Sequence, residues 1–277
     1  DEDTSTLTIV DSGTVGSAAT VEWVVYSNGL LEIKGQGAVP SFSSSSSNLA
    51  PWASHASSIT KIIVRDTITS IGSFAFYNLN KVTSITLPFV GYSRTTTTGY
   101  TSAFGYVFGY HTSGSSSYNY HQYSSSNYYS FYVPSSLKTV VITDATQIPA
   151  GAFYSLDYVK TVKMNDGIKS IGSSAFSAND VLSQCIIPES VETIGFSAFS
   201  TTALSEVYIP DLVSAIEQNT FYGCTKLSKA NLGNNVATIG TQAFYNTALS
   251  TLVIPDSVTT INNLAFAQQT SNLTLKS

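Results

Sequence analysis

The chain has 277 residues, with 12 Lys+Arg against 17 Asp+Glu and a net charge of −5. That length allows one or two domains. The acidic balance argues against nucleic acid as a partner, because phosphate binding needs a clustered cationic surface. Only 10% of residues are charged, whereas 77 are Ser or Thr, so the polar surface is mostly hydroxyl. Hydrophobic residues at 43% supply a core and exclude wholesale disorder. No apolar run approaches the roughly 18 residues needed to span a bilayer. The acidic start, Asp1-Glu2-Asp3, is the opposite of a basic secretory leader and suggests a trimmed mature form.

In chain order, the first predicted element is a hairpin. Thr20 to Tyr26 and Leu30 to Ile33 are strand-like runs around Ser27-Asn28-Gly29, and Asn-Gly between apolar runs is a strong hairpin signal. Residues 41–58 form a Ser-rich connector holding Pro51-Trp52. Trp52 is expected to pack beneath the hairpin, as large aromatics usually go to cores. The region 1–58 is therefore read as an N-terminal β cap with its connector.

From residue 59 the sequence repeats itself. Ile-Gly-x-x-Ala-Phe occurs at 71–76, 171–176, 194–199 and 239–244, with looser copies ending at Phe153, Phe221 and Phe266. From Phe153 the Phe-to-Phe steps are 23, 23, 22, 23 and 22 residues. Each Phe is followed by an aliphatic residue and then by a triplet apolar at both outer members, such as Val162-Lys163-Met164 or Val207-Tyr208-Ile209. Period two means a strand with one buried face. Pro88, Pro188, Pro210 and Pro255 end four of the triplets, because Pro cannot donate to a ladder. Gly-x-x-Ala-Phe reads as a short helical or 3₁₀ return.

A unit of this size cannot close a core alone, but stacked units cover one another. Nine triplets, centred on Ile63, Thr86, Val141, Lys163, Ile186, Tyr208, Asn231, Val253 and Thr274, predict a parallel sheet roughly 38 Å long. The Phe residues should stack in the interior, one per turn. The fold class is a right-handed repeat solenoid with an N-terminal hairpin cap, the solenoid running over 59–277.

Between residues 89 and 133 the rhythm breaks. This stretch holds ten of the 17 tyrosines and ten serines, and Arg94 is its sole Asp, Glu, Lys or Arg. Thr101-Ser102-Ala103-Phe104 resembles a damaged Ala-Phe turn, so the stretch reads as one repeat with two insertions. Aromatic content opposes disorder, and Tyr with Ser and Gly is a composition suited to contact surfaces. It is read either as a lid packed on the solenoid or as a ligand-binding loop. At the far end, the strand at 273–275 has nothing after it to cover it, which suggests that the natural chain continues or that this end pairs with another molecule.

The string Ile-Pro-Asp-Ser-Val-x-x-Ile-x-x-x-Ala-Phe at 254–266, with Phe-Tyr-Gly-Cys-Thr-x-Leu at 221–227, resembles the BspA-like leucine-rich repeats of bacterial and some protist surface proteins. The likeness covers about 59–88 and 134–277. It implies a secreted or surface-anchored protein engaged in adhesion and host contact, and some relatives carry a similar Tyr/Ser-rich interruption.

Catalytic and metal chemistry find little to work with. His55, His111 and His121 have no zinc-site spacing, there is no Gly-x-Ser-x-Gly elbow and no phosphate loop. The column Asp166, Glu189, Asp211 and Asp256, with Asn234 in the gap, is read as turn chemistry and not as a calcium site. Cys185 and Cys224 differ in phase and lie almost two repeats apart, which predicts free, buried thiols. No metal and no cofactor is expected, and the chain is not read as an enzyme.

The expected function is an extracellular or cell-surface binding module whose partner is a protein or glycan of a host or neighbouring cell. The alternative is a structural spacer within a larger surface protein, and no membrane insertion of this segment is expected. The middle triplet residues should point outward as one stripe. The predicted site combines Val141, Ile186 and Tyr208 of that stripe with Tyr128 and Tyr129 of the insertion, folded over it.

Overall fold

The computed structural model describes residues 3–17, 20–111 and 129–276. Among these there is no α-helix, and two parallel ladders run along a stack of repeats. The stack begins with three cap strands, β1 (Ile9–Val15), β2 (Val21–Tyr26) and β3 (Leu30–Gly35), paired antiparallel in that order. The β2–β3 hairpin turns at Asn28-Gly29, where the Asn28 side chain accepts the Leu30 N–H at 3.1 Å and Gly29 has φ 83°. The strand β1 lay outside the sequence reading, because its apolar alternation is weak and most of its residues are exposed. β3 then pairs in parallel with Lys61–Val64, so the cap hands its ladder directly to the solenoid. Trp52 is fully buried beneath the cap, 6.1 Å from Trp23, and its indole donates to the Ala75 carbonyl at 2.8 Å.

Strands lie at or beside all nine predicted positions: Lys61–Val64, Ser84–Leu87, Thr139–Ile142, Thr161–Lys163, Gln184–Cys185, Glu206–Tyr208, Lys229–Asn231, Thr251–Val253 and Thr274–Lys276; eight contain the predicted centre, and the fifth ends one residue before Ile186. They form the first ladder, and their register matches the repeat through Val253. The last strand differs. Leu275 stands opposite Leu252 and Lys276 opposite Val253, so Lys276 takes the outward position expected of Thr274. The first outward position is also not free: Ile63 is only 7% exposed, because Val24, Tyr26 and Leu30 of the cap pack over it.

The sheet is not continuous. Ladder pairing stops between Gln184–Cys185 and Glu206–Tyr208, and again between Lys229–Asn231 and Thr251–Val253. Both gaps fall where the link from the column Phe to the inward strand residue is one residue shorter than elsewhere, at Phe199 to Val207 and Phe244 to Leu252. A link one residue shorter sets the strand off the pairing position of its predecessor.

A second ladder was hidden in the returns. Ile148, Ile171, Ile194, Ile216, Ile239 and Ile261 sit in two-residue strands that pair in two runs, broken between Ile194 and Ile216, while Gly37–Val39 and Ile68–Ile71 pair with each other earlier in the chain. Two residues are too few to show an alternation. The Gly after the Ile permits close stacking: a Cβ on Gly172 would lie 2.4 Å from the Ala150 nitrogen. The Ala-Phe pieces are turns, not the 3₁₀ returns expected from sequence. In each, residues with positive φ flank the Ala-Phe pair, for example Ser174 and Ala178 or Ser197 and Thr201. This alternation points successive N–H groups alternately into their own turn and at the next repeat. Ser174, Phe176 and Ala178 donate to the carbonyls of Phe196, Ala198 and Ser200, while Ala175 and Ser177 donate within the turn. A regular helix would consume those groups internally.

Between the ladders runs the aromatic spine. Phe153, Phe176, Phe199, Phe221, Phe244 and Phe266 stack at 5.1, 5.1, 5.6, 5.3 and 5.7 Å with rings within 14° of parallel. Beside it lies a polar column that sequence analysis missed. Asn179 donates to the Phe153 carbonyl at 2.9 Å, the Cys224 thiol to the Phe199 carbonyl at 3.0 Å, and Gln269 to the Phe244 carbonyl at 2.6 Å. These buried carbonyls would otherwise lack a partner, which is costly. Both cysteines are free and buried, and burial pushes Cys185 up to about 12 and Cys224 up to about 11.

Candidate functional site

The alternation of the first ladder turns every second side chain out of the core. Val141 is half-buried, whereas Ile186 is 83% exposed, Val253 57% and Tyr208 46%. Their inward neighbours Val140, Cys185, Val207 and Leu252 are buried. Val141, Ile186 and Tyr208 therefore lie on one face, with Lys163 between the first two.

Tyr208 is held in place by its neighbour strand. Glu206–Tyr208 pairs in register with Lys229–Asn231. Lys229 Nζ donates to the Tyr208 hydroxyl at 2.7 Å, stands 5.1 Å from its ring centroid, and lies 3.5 Å from Glu206 Oε2. The Tyr208 hydrogen bond, with the Glu206 charge adding to it, raises the Lys229 pKa, so the ammonium stays charged. Sequence analysis missed this arrangement because its members are 21 and 23 positions apart, and only the repeat register brings them together.

The insertion lies elsewhere. Ser84–Leu87 pairs directly with Thr139–Ile142, so the intervening segment does not enter the first ladder. It packs against the first Ala-Phe turn instead. Tyr129 stacks on Tyr100 at 4.6 Å and meets Tyr110 at 5.6 Å, and Tyr110 in turn meets Phe74 at 5.6 Å. Tyr132 contacts Tyr77 at 5.2 Å. A Cβ on Gly109, which has φ 91°, would come within 2.3 Å of the Phe74 ring, so only glycine lets the segment approach so closely. Phe104 and Phe108 enter the spine: Phe108 faces Phe76 at 6.1 Å and Phe104 faces Phe153 at 5.0 Å. The reading of Ser102-Ala103-Phe104 as a modified Ala-Phe turn matches this, with Phe108 as an added member.

Tyr129 thus belongs to an aromatic cluster on the turns, not to the stripe, and the rings in contact with it among the described residues are those of Tyr100 and Tyr110. The outward fold over the sheet fails because Phe74 and Tyr77 supply a nearer apolar surface. Tyr128 lies outside the described residues. Arg94 fastens the insertion: it donates to the backbone carbonyls of Asp66 and Ile68, to the Asp144 carboxylate at 2.8 Å, and lies 5.1 Å above the Phe89 ring.

His55 pairs with Asp11 at 2.8 Å, tying β1 to the connector. His111 sits in a short antiparallel pair with Ser130, and His121 lies outside the described residues. Asn234 N–H donates to Asp211 Oδ1 at 2.7 Å, a bond between successive repeats and not the local turn bond expected from sequence. Among the described residues, no group of three or more His, Cys, Asp or Glu side chains could hold a metal ion, and no helix is long and apolar enough to cross a membrane.

A search among curated proteins returned no match. Solved structures with a likeness include a leucine-rich repeat protein from Eubacterium ventriosum, at 20% identity over 95% of each chain with a TM-score of 0.31. A leucine rich cell surface protein from Faecalibacterium prausnitzii matches at 18% identity over 94% of this chain and 87% of that one, TM-score 0.31. A leucine rich repeat protein from T. pallidum matches at 16% identity over 84% and 88%, TM-score 0.37. The family model for the BspA type leucine rich repeat region matches residues 52–145 and 146–274 in six copies, so the chain belongs to the BspA-type leucine-rich repeat family.

Proposed function

We propose that the chain is a binding module displayed outside the cell, which recognises a protein or glycan of a host or neighbouring cell through the outward face of its first ladder. The observation that carries this reading is the exposure of Ile186, Tyr208 and Val253 on one face. Three large apolar side chains within four successive repeats, with Asn231 between Tyr208 and Val253, are more than a solvated sheet requires, and exposed apolar patches mark contact surfaces. Membership of the BspA-type family supports a surface location. The Tyr-rich insertion, anchored on the turns, would offer a second contact region on another side of the same rod. In this reading the module docks and does not catalyse.

The test is an array of proteins and glycans probed with three forms of the chain: wild type, the double variant Tyr208→Ala/Ile186→Ser, and a form with residues 112–128 replaced by a short Gly-Ser turn, which keeps Phe104 and Phe108 in the spine. The first reading expects a ligand lost by the double variant while circular dichroism stays unchanged. Equal capture by all three folded forms, or capture by none, favours the spacer reading.

A further inference from the structure

Charge is segregated across the solenoid. Among the described residues, the nine strands of the first ladder carry four lysines, Lys61, Lys163, Lys229 and Lys276, against one carboxylate, Glu206. The segments leading into the strands are mixed, with Asp157 and Asp180 beside Lys138 and Lys160, so the excess of positive charge rests on the strand lysines. Carboxylates gather instead on the turns beyond the strands, at Asp66, Asp144, Asp166, Glu189, Asp211 and Asp256. A protein of net charge −5 therefore presents a cationic sheet face, and the exposed Ile186, Tyr208 and Val253 lie within it.

We infer that this face docks an acidic protein surface with an apolar centre. The inference rests on the binding-module reading above and names the partner's chemistry. Protein interfaces place apolar anchors centrally and charges at the rim, and Ile186 is bracketed in that way by Lys163 on one side and the Tyr208–Lys229 pair on the other. Complementary charge would steer a carboxylate-rich partner to this face and away from the acidic turns. The single pair Lys229–Glu206, exposed and 3.5 Å apart, leaves most of the positive field in place, since exposed ion pairs are weak and solvated.

The aliphatic members of the face separate a protein partner from a glycan. Lys229 Nζ, 2.7 Å from the Tyr208 hydroxyl and 5.1 Å from the ring centroid, stands at the hydroxyl rim and leaves the ring faces open, so Tyr208 alone would accept either a sugar or a protein side chain. The remaining apolar residues, Ile186 and Val253, are aliphatic. They offer a sugar no flat face to stack on, and offer a protein side chain a surface to bury against.

The test uses the full chain and three immobilised probes at low ionic strength: a random Glu-Tyr copolymer, polyglutamate and heparin. The copolymer should bind about tenfold tighter than polyglutamate, a gap that a buried apolar contact supplies. Ile186→Ser should remove most of that gap and leave polyglutamate binding unchanged. Lys163→Glu/Lys229→Glu should weaken both acidic polymers about tenfold or more. Lys169→Glu, on the second ladder beside Glu192, should change neither. Added salt should weaken both acidic polymers. Equal affinity for copolymer and polyglutamate, no binding to either, or tighter heparin binding that Ile186→Ser leaves intact would each overturn the inference. If the array finds a ligand lost by the sheet variant while the copolymer shows no preference, only the partner chemistry fails. If the array finds no ligand, the binding reading itself fails.

Discussion

Phe199→Ala is the sharpest test of the spine. Phe199 is fully buried, with Phe176 at 5.1 Å on one face and Phe221 at 5.6 Å on the other. Exposing a phenylalanine costs about 1.5–3 kcal/mol in transfer, and losing two stacked pairs adds about 0.5–1.5 kcal/mol each. The sum agrees with the ~3–5 kcal/mol typical of Phe→Ala in a core. Neighbouring rings cannot collapse into the gap, because each is fixed by hydrogen bonds of its own turn to the next. Phe266 has one ring neighbour, at 5.7 Å, and is partly exposed, so Phe266→Ala should cost about half as much. Thermal and urea unfolding followed by circular dichroism would compare the two. A lowering of order 10 °C is expected for Phe199→Ala and clearly less for Phe266→Ala. Equal melting of the two variants would refute the claim that the column is a load shared between neighbours.

The thiols should resist alkylation in the native state, since burial pushes Cys185 up to about 12 and Cys224 up to about 11; non-reducing mass spectrometry should find both alkylated after denaturation, and a bridge between them would contradict the structure. The cap should loosen in acid. Burial pushes the Glu32 carboxyl up, but hydrogen bonds from Arg65 and Tyr26 outweigh it and hold the group below its ordinary 4.5. A lowered folded pKa gives stability that is complete above the ordinary value and is lost as pH falls through the folded one. Fluorescence of Trp23 and Trp52 should report that loss, and an acid midpoint unchanged in Glu32→Gln would exclude Glu32 as its source. Arg94→Met should speed chymotryptic cutting within the insertion, since a hydrogen bond to a charged group is worth about 1.5–3 kcal/mol; unchanged cutting would mean that the aromatic contacts hold the segment alone. Inserting one residue between Thr202 and Ala203 should restore pairing between residues 184–186 and 206–208, read as slower amide exchange there, and unchanged exchange would show that link length is not the cause of the gap.

The readable parts of this fold are those where one residue type recurs at a fixed spacing. The Phe spine, the strand parity and the Pro stops all have that property, because each repeat must present the same shape to its neighbour. The second ladder was illegible for a physical reason: its strands, such as Ser170–Ile171, are two residues long, and no periodicity fits into two residues. The returns misled because positive φ at Ser174, Ser197 and Gln242 leaves no compositional trace when the residue is not glycine. The final register slipped because Leu273 and Leu275 are both leucine, and only the Lys276–Val253 pairing separates the two alignments. Of the candidate site, the outward exposure of Ile186 and Tyr208 was legible from alternation. Tyr129 was not, because composition identifies a contact-prone segment without saying which side of the rod it lands on.

The solenoid divides the work between its two faces of each strand. Inward, every position is fixed by contact with two neighbouring repeats, so a change at Phe176 or Val207 disturbs a stack. Outward, the residues Lys163, Ile186, Tyr208, Asn231 and Val253 share little chemistry, and packing imposes almost nothing on them. Intrinsic strand preference explains some of the Ile, Val and Tyr there, but it does not explain where the charges fall. Strand preference is indifferent between Lys and Glu, yet the nine solenoid strands hold four lysines against one glutamate, while carboxylates recur on the turns after them. The first gap in the ladder also lies between the strands of Ile186 and Tyr208, where the sheet is least constrained by its own hydrogen bonds. A surface with few packing demands, an excess of lysine over carboxylate and apolar residues beside the breaks in its ladder has its composition left to be set by what it touches.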